Sequence, residues 1–188
     1  MGTSKLKSRQ IREAIEDFTT ASNLDSENPA VYDGLGCCYH ALRNWEEAID
    51  NFDRAINKKP NKVEFLNNRA ACYFDMENYQ ASVEDLNRAL VYDAEDPQVL
   101  YNLGRAFFAF KKYKKCIKTM KRALQSKPNI TYVADIYYHL GLAYCRLEKF
   151  EKSIFPFKKC IETIPSDIRF FHERAKAYQM INEHDKAV

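Results

Sequence analysis

Residues 32–40 read YDGLGCCYH, residues 100–108 read LYNLGRAFF and residues 137–145 read YYHLGLAYC. In each, a Leu-Gly pair follows a large apolar residue and precedes an aromatic three positions beyond the glycine. Glycine in a helical pattern costs about 1 kcal/mol relative to alanine, so three in one setting need a packing reason. Gly36 and Gly104 are 68 residues apart, twice 34, and Ala70 in LNNRAACYF (66–74) stands midway. Gly141 lies 37 residues beyond Gly104, and Ala175 in FHERAKAYQ (171–179) lies 34 beyond Gly141.

The correspondence runs through the intervening residues. The first stretch is followed by Ala48, Phe52, Ala55 and Pro60. The same places hold Ser82, Leu86, Ala89 and Ala94, then Cys116, Met120, Ala123 and Pro128, then Ser153, Phe157, Cys160 and Pro165. Before residue 29, Ala14, Phe18 and Ala21 match only the second half of a unit. A fixed period of this length marks a repeat architecture.

The pattern, carried over residues 11–188, resembles the tetratricopeptide repeat. The resemblance implies an all-α fold, an α-solenoid (right-handed superhelix) of antiparallel helix-turn-helix units. The expected divisions are an N-terminal tail and half repeat over 1–28 acting as a capping helix, then repeats at 29–62, 63–96, 97–133 with a three-residue insertion, and 134–167. A truncated repeat covers 168–188, and all form one solenoid domain. Arg69 and Arg174 stand where leucine is usual, and Ala94 where proline is, each in a single unit. The half unit in front and the cut-off unit behind imply a longer array.

The residues themselves argue for paired helices. Apolar residues recur at three- and four-residue steps, as in Tyr32, Leu35 and Tyr39, then Trp45, Ala48, Ile49 and Phe52. Asn28-Pro29 and Asp96-Pro97 suit an N-cap followed by the first helical residue. Asn44 with Glu47 suggests a capping box, and Pro60, Pro128 and Pro165 stop the second helices. The glycines and small residues let facing helices approach and seat the large side chains. Pro156, inside a second helix, is expected to kink it and to lose the bond to the Lys152 carbonyl.

Composition narrows the functional classes. With 46% hydrophobic content and 188 residues the chain can bury a substantial core. It has no apolar run of membrane-spanning length and no apolar signal stretch at its start. Leu6 occupies the place where a myristoylation motif needs Ser or Thr. The six cysteines form no Cys-x-x-Cys pair and read as small core residues of a reducing cytosol, which places the chain in the cytoplasm. There is no phosphate loop, His-Glu-x-x-His or Gly-x-Ser-x-Gly, and the four histidines fall in different units. The chain is therefore read as no enzyme, with no metal site and no cofactor. Residues 1–96 hold 11 lysines and arginines against 18 carboxylates, and residues 97–188 hold 18 against 8, so the two halves attract different partners.

First-helix residues not used in packing line the expected concave groove. Candidate peptide-binding residues there are Asn68, Tyr101, Asn102, Arg105, Phe108, Tyr138, His139, Arg146, Arg169 and Lys176. Asn68 and Asn102 share one place in consecutive units, and an amide both donates to and accepts from a peptide backbone. The arrangement is similar to the asparagine ladder of some members of the family, though Gly34 and His139 limit it to two rungs; hydrated groove amides are the alternative. Other members clamp the carboxylate tail of heat-shock chaperones with Lys and Asn, then Asn, then Lys and Arg. Around Asn68 the flanking places hold Asp33, Cys37, Gln98 and Asn102, which supply no cation, so no chaperone-tail binding is expected. Arg105, Arg146, Arg169 and Lys176 favour an acidic or phosphorylated peptide. Outside the groove, KKYKKCIKTMKR (111–122) is expected to bury Tyr113, Cys116, Ile117 and Met120. Lys111, Lys112, Lys114, Lys115, Lys118 and Lys121 then form a basic surface patch. That patch is either a solvated face or an electrostatic landing site for nucleic acid, acidic protein tails or anionic lipid.

These readings converge on a protein–protein interaction scaffold that binds a peptide segment of a partner along its groove within a larger assembly. The alternatives are a non-catalytic targeting or regulatory arm of an enzyme and, with less support, an RNA-binding helical-repeat protein. The last class needs one regular base-reading code, which the groove residues lack.

Overall fold

Helix after helix forms where the three- and four-residue apolar spacing runs, and each breaks at the turn between two runs. The computed structural model describes residues 2–187. It contains α1 (Gly2–Leu24), α2 (Pro29–Ala41), α3 (Trp45–Lys58), α4 (Val63–Asp75) and α5 (Tyr79–Tyr92). There follow α6 (Pro97–Ala109), α7 (Tyr113–Gln125), α8 (Ile130–Arg146), α9 (Phe150–Thr163) and α10 (Ile168–Ala187). No strand occurs among the described residues. The chain divides into two compact units, residues 1–94 (α1–α5) and 95–188 (α6–α10).

In the first unit α2 pairs with α3 and α4 with α5; in the second α6 pairs with α7 and α8 with α9. The turn inside each hairpin closes identically. Arg43, Glu77, Lys111 and Glu148 take positive φ of 62°, 60°, 57° and 57°. The next amide reaches back across the helix end, as from Asn44 to the Tyr39 carbonyl at 2.9 Å and from Lys112 to the Phe107 carbonyl at 2.8 Å. This is the six-residue closure usually made with glycine, here made four times without one. Beside three of these turns an aromatic ring ending the first helix meets one opening the second. The pairs are His40–Trp45, Phe74–Tyr79 and Phe108–Tyr113, each 5.5 Å between centroids.

The repeated glycines have the expected reason. A Cβ on Gly36 would stand 2.6 Å from the Phe52 ring, one on Gly141 2.5 Å from Phe157, and one on Gly104 2.7 Å from the end of Met120. Phe52, Met120 and Phe157 are fully buried. Gly34 makes a fourth close approach that the repeat does not announce. A Cβ there would meet the Phe18 ring of α1 at 2.5 Å, which is how the leading half repeat seats on α2. Ala70 replaces glycine in the second repeat, where the facing place holds Leu86, smaller than phenylalanine; both are buried.

Several local expectations need correction. Asn28 and Asp96 cap their helices through their side chains, but Asn44 makes no side-chain cap bond. The capping box is thus absent at α3, whereas Asn78 does cap α5. The three residues inserted after the third repeat lengthen α8 at its N-terminal end to 17 residues. The final unit is one 20-residue helix without a turn. Pro156 is buried, and α9 continues through it. Helix α5 ends at Tyr92 without the proline that follows α3, α7 and α9; Asp93 leaves the helical conformation there, its amide donating to the Ala89 carbonyl.

Arg69 and its surroundings also depart from expectation. Asp53 forms an ion pair with Arg69. Arg69 also donates from Nε and Nη2 to the two oxygens of Asp85, at 2.7 and 2.6 Å. The Asp85 side chain is 4% exposed. Burial opposes the Arg69 charge, yet the bonds from Asp85 and Asp53 outweigh it and hold the guanidinium above its ordinary range. Arg69 and Asp85 occupy the places of Leu103 and Thr119 in the next repeat, so two departures in one unit compensate each other.

Candidate functional site

In the first unit, Asp33 and Cys37 on α2 stand beside Asn68 on α4. Asn68 Nδ2 donates to both Asp33 oxygens at 3.0 and 3.1 Å and to Cys37 Sγ at 3.7 Å. Asp33 is buried, and burial pushes its carboxyl above the ordinary carboxylate value while the Asn68 bond pulls it back. The donor end of this expected rung is thus already engaged. Asn102, its counterpart, lies on α6 in the second unit, half-buried and hydrogen-bonded or otherwise engaged.

The second unit gathers most of the remaining candidates. His139 on α8 sits among three rings: Phe108 at 5.6 Å, Tyr138 at 6.1 Å and Tyr101 at 6.4 Å, all edge-on. Its Nδ1–H donates to the Asp135 carbonyl at 2.8 Å. Burial lowers its pKa, the Asp135 carbonyl opposes this and Arg105 reinforces it, so the ring is neutral near pH 7. Tyr101 Oη donates to Asp135 Oδ2 at 3.4 Å, and burial pushes this phenol up to about 12. Arg105 lies over the Tyr101 ring at 5.6 Å, and Arg169 over Tyr138 at 5.7 Å and Phe170 at 5.8 Å. These are cation–π distances. Phe108, Arg105, Tyr101, His139, Tyr138 and Arg169 are therefore linked through ring contacts. Arg146, at the end of α8, is exposed and outside that linkage.

Two of the expected peptide-facing cations are already answered. Arg169 donates Nε and Nη2 to Asp167, with contacts of 2.6 to 3.1 Å, and Asp167 also accepts the Arg169 amide at 3.0 Å. Lys176 pairs with Glu173 at 3.2 Å. Asp167 was legible as a cap, since an acid at the start of α10 two residues before an arginine can serve both bonds. Lys111, Lys112, Lys114, Lys115, Lys118 and Lys121 are all exposed, at the turn before α7 and along it, while Cys116, Thr119 and Met120 are buried.

Among the described residues no group of three or more His, Cys, Asp or Glu side chains is placed to hold a metal ion. No helix there is long and apolar enough to cross a membrane. The six cysteines are unpaired. Three of them are core residues: Cys160 Sγ–H donates to the Ala134 carbonyl at 3.3 Å, and burial pushes the Cys116 and Cys160 thiols up to about 12 and Cys72 to about 11.

Models of the tetratricopeptide repeat match residues 29–62, 97–130 and 134–167, and a TPR repeat model matches 72–110. No curated protein matches the sequence. Among solved structures, the MamA protein is 27% identical with a TM-score of 0.77, over 86% of this chain and 87% of that one. A tetratricopeptide repeat protein from Parabacteroides merdae is 18% identical with a TM-score of 0.78, over 98% and 72%. YrrB, described as a TPR protein with an unusual peptide-binding site, is 20% identical with a TM-score of 0.74, over 89% and 84%.

Proposed function

The chain belongs to the tetratricopeptide repeat family, and from that premise we propose that it is a non-catalytic scaffold of the cytoplasm that holds a peptide segment of a partner protein within a larger assembly. The segment lies along the first helices, and in the second unit it meets the ring cluster of α6 and α8. That cluster carries the reading: Tyr101, Phe108 and Tyr138 surround a neutral His139, with Arg105 and Arg169 lying over rings. Tyr101 is itself buried, and the partly exposed rings of Phe108 and Tyr138 give the surface; aromatic surface next to arginine is the composition of energetic centres in protein interfaces. Acidic groups of the segment would engage Arg105 and Arg146 and would compete with Asp167 and Glu173 for Arg169 and Lys176. In the first unit, Asn68 offers its carbonyl oxygen to a peptide amide, its nitrogen being held by Asp33. Clamping of a chaperone carboxylate tail is not part of the proposal, because the cations of such a clamp are missing.

Photo-crosslinking tests this reading. A benzoylphenylalanine at Phe108 should join the chain to one linear segment of a partner, and that segment made as a synthetic peptide should bind. Phe108→Ala, at a partly exposed ring, should weaken the peptide by about tenfold, near 1.4 kcal/mol. An Asn68→Ala/Asn102→Ala variant that loses no more than about twofold assigns those amides to hydration alone. Binding unaffected by Phe108→Ala would place the peptide elsewhere and refute the proposal.

A further inference from the structure

In the second unit Arg169 and Lys176 are paired from within the chain; the lysines at the turn before α7 and along it are not. Helix α7 holds no acidic residue. Among the described residues Lys111, Lys112, Lys114, Lys115, Lys118 and Lys121 make no ion pair. Next to this helix, α7, α8 and α9 enclose an open hollow of about 370 Å³. Leu140 and Pro156, both buried, form its base. Leu124, Tyr137, Tyr144 and Phe155 form its walls, with the exposed Lys121 and Lys152 at its edge.

Phe155 is the unusual member. It is 59% exposed, yet it is held in place. Tyr137 meets it edge to face at 6.3 Å, and Lys159 Nζ lies 5.7 Å from its centroid. Pro156 contributes a second feature. It has no amide hydrogen, so the Lys152 carbonyl receives no helix bond from position 156, and an acceptor is left on a residue that lines the hollow. The register adds a third. The places of Leu140 and Pro156 hold the buried Arg69–Asp85 pair in the second repeat; in the fourth repeat they are apolar and open to a ligand.

We propose that this hollow is a second binding site, and that its occupant is an acidic segment of a partner protein. The segment plants an apolar side chain against Phe155, Tyr137 and Leu124. Its carboxylates meet Lys121, Lys152 and the lysine face of α7. Charge complementarity selects the sign of the partner, and a recessed apolar pocket next to those charges selects an anchored peptide. The volume lies at the small end of the roughly 300–1,000 Å³ of ligand sites, which suits an anchoring side chain. A nucleic acid would answer the lysines with phosphate and leave the apolar recess unfilled. A membrane surface needs apolar side chains that project, and of the apolar lining residues Phe155 alone is strongly exposed.

Selection of a random peptide library on the full chain, followed by fluorescence anisotropy of the enriched peptides, tests the site. Enriched peptides are expected to combine Asp or Glu with an aromatic or aliphatic anchor. Phe155→Ala and Lys121→Glu/Lys152→Glu, all exposed positions, should each weaken them by about tenfold. Circular dichroism should report an unchanged fold for both variants. Raising salt from about 50 to about 300 mM should weaken binding steeply, while Phe108→Ala should leave it unchanged. The proposal is overturned if the library returns no peptide, or if the peptides bind both variants as tightly as the parent. It is equally overturned if polyuridylate RNA or phosphatidylserine vesicles bind in a Lys121- and Lys152-dependent way and peptides do not. Peptides that Phe108→Ala abolishes, with Phe155→Ala without effect, would support the first-helix groove and exclude this site.

Discussion

Alanine at Gly141 is the sharpest test of how these hairpins hold together. A new Cβ there would lie 2.5, 2.7 and 2.8 Å from three atoms of the Phe157 ring, all closer than real contacts allow. Phe157 is fully buried, and a rigid ring cannot bend aside as a flexible chain does. Overpacking of this kind costs roughly 1–3 kcal/mol, and three simultaneous overlaps with a rigid group place it in the upper part of that range. Alanine also relieves the helix penalty of glycine by about 1 kcal/mol. The expected net loss is about 1–2 kcal/mol, which for a chain of this size lowers Tm by roughly 2–8 °C. Gly104→Ala meets the Met120 side chain at Cε, Sδ and Cγ, at 2.7 to 2.9 Å. Methionine has three rotatable bonds, so this variant should stay within about 1 kcal/mol of the parent. The second repeat suggests a rescue, since its own pairing is Ala70 with Leu86. Phe157→Leu alone should cost about 1–2 kcal/mol, and Gly141→Ala/Phe157→Leu should be more stable than the sum of the single changes by about 1–2 kcal/mol. Urea unfolding of the four chains supplies that cycle. If Gly141→Ala melts at or above the parent temperature, or if the double variant shows no coupling, close approach is not the reason for the glycine.

Two further outcomes follow from buried charge. Asp85→Ala leaves the largely buried Arg69 with the part-exposed Asp53 and should cost about 2–3 kcal/mol, whereas Arg69→Leu/Asp85→Leu should be near neutral in the same urea assay; equal losses would show that the pair is not coupled. Asp33 titrates with its pKa raised above 3.8, burial being the larger cause. Its neutral form is therefore the one the fold prefers, and its unfavourable contribution appears as pH rises from about 3.8 through the raised pKa. Asp33→Asn should raise Tm at pH 7 and have little effect at pH 3, in a thermal scan at both pH values; a loss of stability at pH 7 would contradict this.

The 34-residue spacing, the small residues and the prolines were enough to assign the helices, their pairing into hairpins and the family, because those features follow from local periodicity and from a contact repeated in each unit. Gly36, Gly104 and Gly141 could be read as packing glycines from spacing alone. Gly34 could not, because the later units hold Asn68, Asn102 and His139 at its place, so no repeated glycine marks the contact. The same distinction separates the site residues. The sequence placed Tyr101, Arg105, Phe108, Tyr138 and His139 on first helices. It could not say that three rings surround His139, since those contacts depend on side-chain directions across helices. Arg69 and Asp85 were visible as separate departures; only packing made them a bonded pair. Composition and register thus determined which residues face inward or outward. The tertiary structure decided which charges are already neutralised and where an apolar hollow stays open, because both depend on the distances between helices that the repeat leaves unspecified.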